Sequence, residues 1–437
     1  MSAISIPADI NRKLLEMARQ QIMQGNLKKA AQALNKAHRQ APHDARVFML
    51  GGLLADKANN PAKAEESFQR CLEMAPMWGP GLLEYAMYSA RSGETDRAIE
   101  LAEKVARIEP RNPQVLAAVV DLAHAVGNLD MAINHLRRGL ELHPGDAVLR
   151  RYLAVDLSIT QQHAEATMLW DTLVLERPDE AELRYGRIKA CAARGEPAAA
   201  MPDILVLREK FPEDPTLDYY ATLARGEVPS SQPVEVHQSM FNKMAGQFDQ
   251  HLVRGLQYQL PKLVADQLIE QRPDKDFNLL DLGCGTGLLG ACLGPMKGYL
   301  IGVDSSLAMI EQAAQHNVYD RFHHVDLLKA LRDTPEEQYE VLTSLDVLIY
   351  VGDLQPVIPN AARILKAGGS FIFSCEAAPE DGPDLLLQGS HRYAHKLSHV
   401  EDLCRQAGLV PSKQELVLRM EAGTPVQGFL ITANKPA

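Results

Sequence analysis

Asp281, Gly283, Gly285 and Gly287 stand at alternate positions in the stretch 278–293, NLLDLGCGTGLLGACL. Three closely spaced glycines let a backbone turn tightly and approach a ligand without Cβ interference. A helix opening just after such a turn offers free N–H groups at its positive end. The spacing Gly285-x-Gly287-x-x-Gly290 also fits a dinucleotide-binding turn. Asp281 argues the other way, because a carboxylate beside the loop repels a pyrophosphate and suits a cationic amino group. Further along, Asp304 and Asp326 are acidic residues following apolar stretches. The segment 391–395, HRYAH, groups a guanidinium with three side chains able to exchange protons. There Arg392 could clamp a carboxylate bidentately, and Tyr393 or His395 could accept a proton. The pair His323–His324 has no third ligand at metal spacing, so no metal site is expected.

These residues need strands and turns to position them. Leu279–Leu280 suit a buried strand, and helix formers follow Gly287, so a strand–turn–helix unit is predicted. Tyr299–Val303 reads as a second parallel strand ending at Asp304, with Ser305 and Ser306 opening the next helix. A third strand ends at 323–327, HHVDL, and a fourth with its turn spans Tyr339–Gly352. Helix 354–365 stops at Lys366-Ala367-Gly368-Gly369, before a strand at 370–374. A helix at 401–407 and two apolar alternations, 415–420 and 427–433, complete the pattern.

The D-x-G-x-G-x-G form, with acidic residues at the next two strand ends, resembles the class I S-adenosylmethionine (SAM) methyltransferases. LKAGGSFIFS resembles their later strand segment, and the terminal alternations their antiparallel hairpin. The resemblance covers about 236–434 and implies a Rossmann-like α/β domain with SAM as cofactor. It makes Asp281, Gly283, Cys284, Gly285 and Gly287 the loop, and Asp304 and Ser305 the ribose end. Met309 is implied against the adenosine, and Asp326 and Leu327 at the adenine. Leu345 and Asp346 would lie at the methionine end, with Tyr350 nearby. The HRYAH segment occupies the family position before the last helix, making Arg392, Tyr393 and His395 the candidate acceptor-side residues. The family usually has Asp where this chain has Glu340.

The first half carries a repeat. Prolines recur every 34 residues at 42, 76, 110, 144, 178 and 212, and alanines keep the same step at 30, 64, 98, 132, 166 and 200. A third column, Gly25, Asn59, Gly93, Gly127, Gln161 and Gly195, holds turn-formers in all but one row. Small residues permit close helix packing, the third column turns one helix into the next, and the proline ends the second. This phase resembles the tetratricopeptide (TPR) repeat. It implies an α-solenoid of six repeats over about 11–214, with a capping helix near 216–225. The TPR groove positions would present Leu15, Ile22, Met23, Met49, Leu53, Leu83 and Met87, an apolar face for a protein or peptide partner. The expected domains are 1–226 for the array, 227–240 for a linker and 241–437 for the methyltransferase. The stretch 248–268 resembles the segment before the glycine loop in TPR-containing methyltransferases. It implies a lid, with Phe248, Asp249, His251 and Tyr258 as wall residues.

Charge narrows the acceptor. Residues 1–226 hold 28 Lys/Arg and 30 Asp/Glu, whereas 227–437 hold 17 and 26, so the half with the chemistry is acidic. A nucleic-acid acceptor would face repulsion there and is not expected. No long apolar run or leader pattern is present, and the six cysteines form no C-x-x-C pair. A cytoplasmic chain without a membrane span is therefore expected. The reading that emerges is a SAM-dependent methyltransferase whose TPR array docks a partner. Its alternatives are a small-metabolite methyltransferase using the array only for assembly, and a SAM-binding scaffold without turnover.

Overall fold

A computed structural model describes residues 9–244, 258–421 and 423–437. The chain divides into two compact units, Met1–Gly186 and Arg187–Ala437. The wall candidates Phe248, Asp249 and His251 lie outside the described residues.

The first unit is built from antiparallel helix pairs. They are α1 (Arg12–Met23) with α2 (Leu27–Gln40), α3 (Ala45–Lys57) with α4 (Pro61–Met74), and α5 (Gly79–Arg91) with α6 (Thr95–Ile108). Then follow α7 (Pro113–Ala125) with α8 (Leu129–Leu142), α9 (Ala147–Ile159) with α10 (His163–Glu176), and the start of α11 (Ala181–Ala193). Each repeat column has a visible physical job. The alanines at 30, 64, 98, 132 and 166 are wholly buried, where a larger side chain would separate the paired helices. The residues preceding the prolines at 42, 76, 110, 144 and 178 all leave helical geometry, with φ between −122° and −145°. Proline forbids its predecessor the helical region, so each second helix ends there.

All six turn positions adopt positive φ, from 54° at Asn59 to 84° at Gly195, including the non-glycine Gln161 at 61°. The turn therefore demands the left-handed conformation whatever residue the row supplies. Gln161→Gly removes a left-handed penalty of roughly 1–2 kcal/mol, partly offset by about 0.5–1 kcal/mol of extra unfolded-state entropy. A rise of about 1–3 °C in the unfolding midpoint is expected, and a smaller one for Asn59→Gly, since asparagine tolerates this region. Thermal scans of the full chain would check both, and a fall at Gln161 would contradict the turn assignment.

The apolar groove set needs correction. Leu15, Ile22 and Met49 are core residues of the helix pairs, each under a tenth exposed. Leu53, Leu83 and Met87 are half-buried against that core, and Met23 alone of the set is exposed. Two neighbouring helices share the period that groove positions follow, so sequence phase could not separate contact with them from contact with a partner.

The second unit opens with the remainder of α11, a 3-10 turn (Pro197–Ala200), α12 (Met201–Lys210) and α13 (Pro215–Ala224). Most of the sixth repeat and its capping helix thus fall in the unit that also holds the sheet, although the repeat period alone places a boundary at 226. The segment expected as a linker is tied down: Asp353 N donates to Ser230 O at 2.6 Å and Gln232 N to Tyr350 O at 3.0 Å. Helices α14 (Val234–Met244) and α15 (Leu260–Gln271) precede the sheet.

The sheet comprises β1 (Leu279–Leu282), β2 (Leu300–Asp304), β3 (Arg321–His324), β4 (Tyr339–Ser344), β5 (Leu365–Ala377), β6 (Leu385–Leu387), β7 (Tyr393–His395), β8 (Val410–Glu421) and β9 (Thr424–Asn434). Strands β3, β2, β1, β4 and β5 are parallel in that order, β9 joins β5 antiparallel, and β8 pairs β9. The short β7–β6 pair extends the carboxyl end of β5. Alternation sorts side chains to two cores: Leu280, Leu282, Leu342, Phe371 and Phe373 face one, and Leu279, Val341 and Ile372 the other. Helix α17 (Leu307–Ala314) follows β2, and helices α18 (Leu327–Asp333), α19 (Ile358–Ile364) and α20 (Leu397–Gln406) cover the first face. Helices α15 and α16 (Leu288–Leu293) cover the second. The observed class is the expected one: a helical repeat array followed by a Rossmann-like α/β unit with a terminal antiparallel hairpin.

Candidate functional site

The carboxyl ends of β1, β2, β3 and β4 open onto a cavity of about 650 Å³. In a parallel sheet this is where the loops leave the strands and a ligand can reach several at once. Asp281, Gly283, Cys284, Gly285, Asp304, Ser305, Met309, Asp326, Leu327 and Leu345 all line it. Gly287, the remaining loop candidate, does not line it and instead turns the chain into α16 at φ 82°.

The glycines divide the work. A Cβ on Gly283 would lie 2.4 Å from the Val347 side chain, so that position is small for packing. Gly285 has φ 54°, and a Cβ built there meets nothing within 4 Å among the described residues beyond its chain neighbours. It presents bare backbone to the cavity. Its N–H donates to Asp304 Oδ2 at 2.9 Å, while Asp304 Oδ1 accepts from Ser306 N at 2.8 Å. The carboxylate at the end of β2 thereby fixes the loop after β1. Burial raises the Asp304 pKa above the ordinary range, against the pull of those backbone donors.

Asp281 is braced from both sides. Tyr319 donates its hydroxyl to Oδ2 at 2.7 Å and Thr343 donates to Oδ1 at 2.8 Å. Burial nevertheless pushes its pKa up to about 6. Tyr319 also explains Gly290, whose Cβ would fall 2.3 Å from the tyrosine ring. The last glycine of the apparent dinucleotide spacing is therefore a packing position.

The far end of the cavity is aromatic and charged. His237 and Phe241 from α14, Tyr258 and Tyr350 line it with Asp346, Arg392 and Arg419. His237 stacks on Tyr350 at 4.7 Å, and Phe241 meets Tyr350 edge-on at 5.7 Å. Arg419, 2 % exposed, reaches Asp346 Oδ1 at 2.5 Å, Glu421 Oε1 at 2.7 Å, and Glu376. Arg392 also bonds Glu421. Asp346 has φ 59° and a pKa pushed up to about 6 by burial, the two arginines opposing the rise. Among the described residues, the cavity lining holds Glu235, Asp281, Asp304, Asp326 and Asp346 against Arg392 and Arg419. Such a cavity favours a ligand with positive charge.

Of the acceptor-side candidates, Arg392 alone lines the cavity. His395 is corrected. It is 2 % exposed, and its Nε2 lies 3.0 Å from the carbonyl oxygens of both Val351 and Gly352. Two carbonyl neighbours require a donor there, so the ring holds the turn after β4 together. Tyr393 is corrected as well, being fully buried against Gly352. Strand alternation sends these two side chains away from the cavity, which the residue types of HRYAH alone could not foresee. The expectation that His323–His324 bind no metal rests on their spacing; His324 Nε2 in fact lies 3.0 Å from Ser305 O.

Sequence reading missed His237, Tyr319 and Arg419. His237 left a faint signal, four residues before Phe241 on the same helical stripe. Arg419 left none. A register shift between Val417 and Arg419 turns it inward beside buried Leu418, against the strand alternation.

Comparison with known proteins agrees with both halves. Residues 280–371 match the family model of a methyltransferase domain, and residues 15–77 that of a tetratricopeptide repeat. The chain is similar to ubiquinone biosynthesis O-methyltransferases. It is 31% identical over 150 residues to that of Coxiella burnetii, covering 30% of this chain and 62% of the relative. To that of Nitrosomonas europaea it is 29% identical over 164 residues, covering 34% and 68%. The chain thus spans about three-fifths of the length of the first of these relatives. Among solved structures, magnesium protoporphyrin IX methyltransferase from Synechocystis aligns with a TM-score of 0.33 at 19% identity, over 40% of this chain and 78% of that one. A tetratricopeptide repeat protein from Parabacteroides merdae aligns with a TM-score of 0.35 at 21% identity, over 50% and 87%.

Proposed function

We propose that this chain, which carries tetratricopeptide repeats and a methyltransferase domain, binds SAM in the second unit and passes its methyl group to an acceptor. The observation that carries the reading is the bare backbone of Gly285 beside the Asp304 carboxylate, on the matched domain. The residues present fit the cofactor. An acidic cavity suits its ammonium and sulfonium charges, and Gly285 leaves its backbone approachable. Asp304 would hold the ribose hydroxyls, Asp326 the adenine amino group, Met309 the adenosine face, and Asp281 the amino end.

When bound, SAM supplies a methyl group already activated by its positive sulfur. The chain's own task is to orient the acceptor and exclude water. The apolar rings at the far end would do the second, and Arg392 and Asp346 would orient polar groups of the acceptor. The similarity to O-methyltransferases favours an oxygen acceptor.

The repeat array supports a docking role for a protein or peptide on its concave face, with the buried residues of the sequence set excluded. The acidic second half argues against nucleic acid. Among the described residues no helix is long and apolar enough to cross a membrane. Six scattered cysteines with no C-x-x-C pair suit the reducing cytoplasm, which completes the proposal.

Cell extract incubated with the purified chain and methyl-labelled SAM should yield label in a new product. Label in a protein band supports docking of a protein acceptor, and label in a small molecule assigns the array to assembly. Cofactor binding with no label in either fraction would reduce the chain to a SAM-binding scaffold.

A further inference from the structure

The geometry points to His237 as the group that takes the proton from a phenolic or enolic hydroxyl acceptor at the aromatic end of the cavity. This rests on the proposed methyl transfer and specifies its acceptor.

Four observations converge on this residue. The ring lines the cavity, and its buried Nδ1 has no hydrogen-bond partner among the described residues. Among the described residues no carboxylate or carbonyl holds the other nitrogen, unlike the histidine at 395, whose Nε2 faces two carbonyls. The ring is fixed in orientation by stacking on Tyr350 at an interplanar angle of 24° and by an edge contact with Phe241 at 76°.

The helix that carries it is tied to the proposed cofactor end. Gln238 Nε2 donates to Ser305 O at 2.7 Å, and Ser306 Oγ donates to Asn242 Oδ1 at 2.7 Å. Ser305 and Ser306 directly follow Asp304, so α14 sets the histidine relative to the carboxylate that pins the glycine loop. Stacked rings at this end suit a planar acceptor. Burial lowers the His237 pKa to about 4, which keeps a lone pair available throughout the neutral range. The titratable groups around it are Glu235 on its own helix, Tyr350 against its face, and Asp346, Arg392 and Asp304 across the cavity.

In the step, a bond forms between the acceptor oxygen and the methyl carbon. The sulfonium S–C bond breaks and its electron pair stays on sulfur. The hydroxyl proton passes to His237 and then to solvent. Positive charge leaves the sulfur as it arrives on the imidazole, so the cavity's net charge is conserved.

The test uses the full chain with catechol as the hydroxyl probe and thiophenol as an acceptor already largely ionised at neutral pH. His237→Gln should lower methyl transfer to catechol by about 10²–10⁴-fold and leave transfer to thiophenol within a few-fold. Its residual catechol rate should climb with pH toward the probe's own ionisation, while the native rate stays flat above about pH 5. Calorimetry with S-adenosylhomocysteine should give equal affinity for the native chain and for His237→Gln, with His237→Asn as a second variant should the first misfold. Equal losses with both acceptors would make His237 structural and overturn the proposal. A chain that binds S-adenosylhomocysteine yet neither binds nor methylates catechol would overturn it too, leaving the cofactor reading intact. No S-adenosylhomocysteine binding by the native chain would overturn the cofactor reading itself.

Discussion

Gly285→Val should weaken S-adenosylhomocysteine binding by about 100-fold or more, a loss near 3 kcal/mol. The position has φ 54°, where a β-branched residue is strained. The valine side chain would also crowd the cavity that Gly285 lines, because among the described residues nothing beyond its chain neighbours stands within 4 Å of the new Cβ. Asp304→Ala should cause a comparable loss by a second route, removing the acceptor for Gly285 N and Ser306 N together with the proposed ribose contact. Calorimetry below the melting transition of each variant reads both. Affinity retained in Gly285→Val would show that the ligand does not approach the loop.

The same measurement should depend on pH. Asp281 is pushed up to about 6 by burial, so its carboxylate gains a proton as pH falls through that value. A cationic amino group needs the ionised form. Affinity should therefore be level above about pH 7 and fall below about pH 6, by up to about tenfold per pH unit. Affinity constant from pH 5 to 7.5 would remove Asp281 from the amino-group role. Without ligand the sign reverses. A raised carboxylate pKa contributes stability at low pH, and that contribution is lost as pH rises through about 6.

Arg419→Met should destabilise the second unit by about 3–5 kcal/mol. The guanidinium is 2 % exposed and joins Asp346, Glu376 and Glu421, which lie on three separate segments of the chain. Its removal leaves buried carboxylates without their counter-charge, and Glu376 itself is only 3 % exposed. Urea unfolding followed by tryptophan-independent circular dichroism should show the midpoint fall. Adding Glu376→Gln should restore part of the loss, because the pair is directly coupled. The deficit should shrink toward pH 5, since uncompensated buried carboxylates take up protons more readily in the folded state. A loss below about 1 kcal/mol, typical of a surface pair, would mean the network is effectively solvated.

Sequence by itself determined the elements whose causes are local. The pre-proline residue cannot stay helical, the helix-pair alanines cannot be larger, and the turn column takes the left-handed conformation even as Asn59 or Gln161. Those steric rules act within a few residues, so a 34-residue period was enough to read the array. The glycine loop was legible for the same reason, as a strand, a turn and a helix start within one short stretch. What surrounds the cavity depends on pairs remote in the chain. Tyr319 meets Asp281 across 38 positions, Arg419 meets Asp346 across 73, and Gln238 meets Ser305 across 67. The sheet order, one register shift in the hairpin and the burial of HRYAH as strand β7 decide which of these side chains face the cavity. Local rules set each segment's conformation, but only the packed sheet decides which face a side chain presents, and so made a cavity wall of His237 and a structural tie of His395.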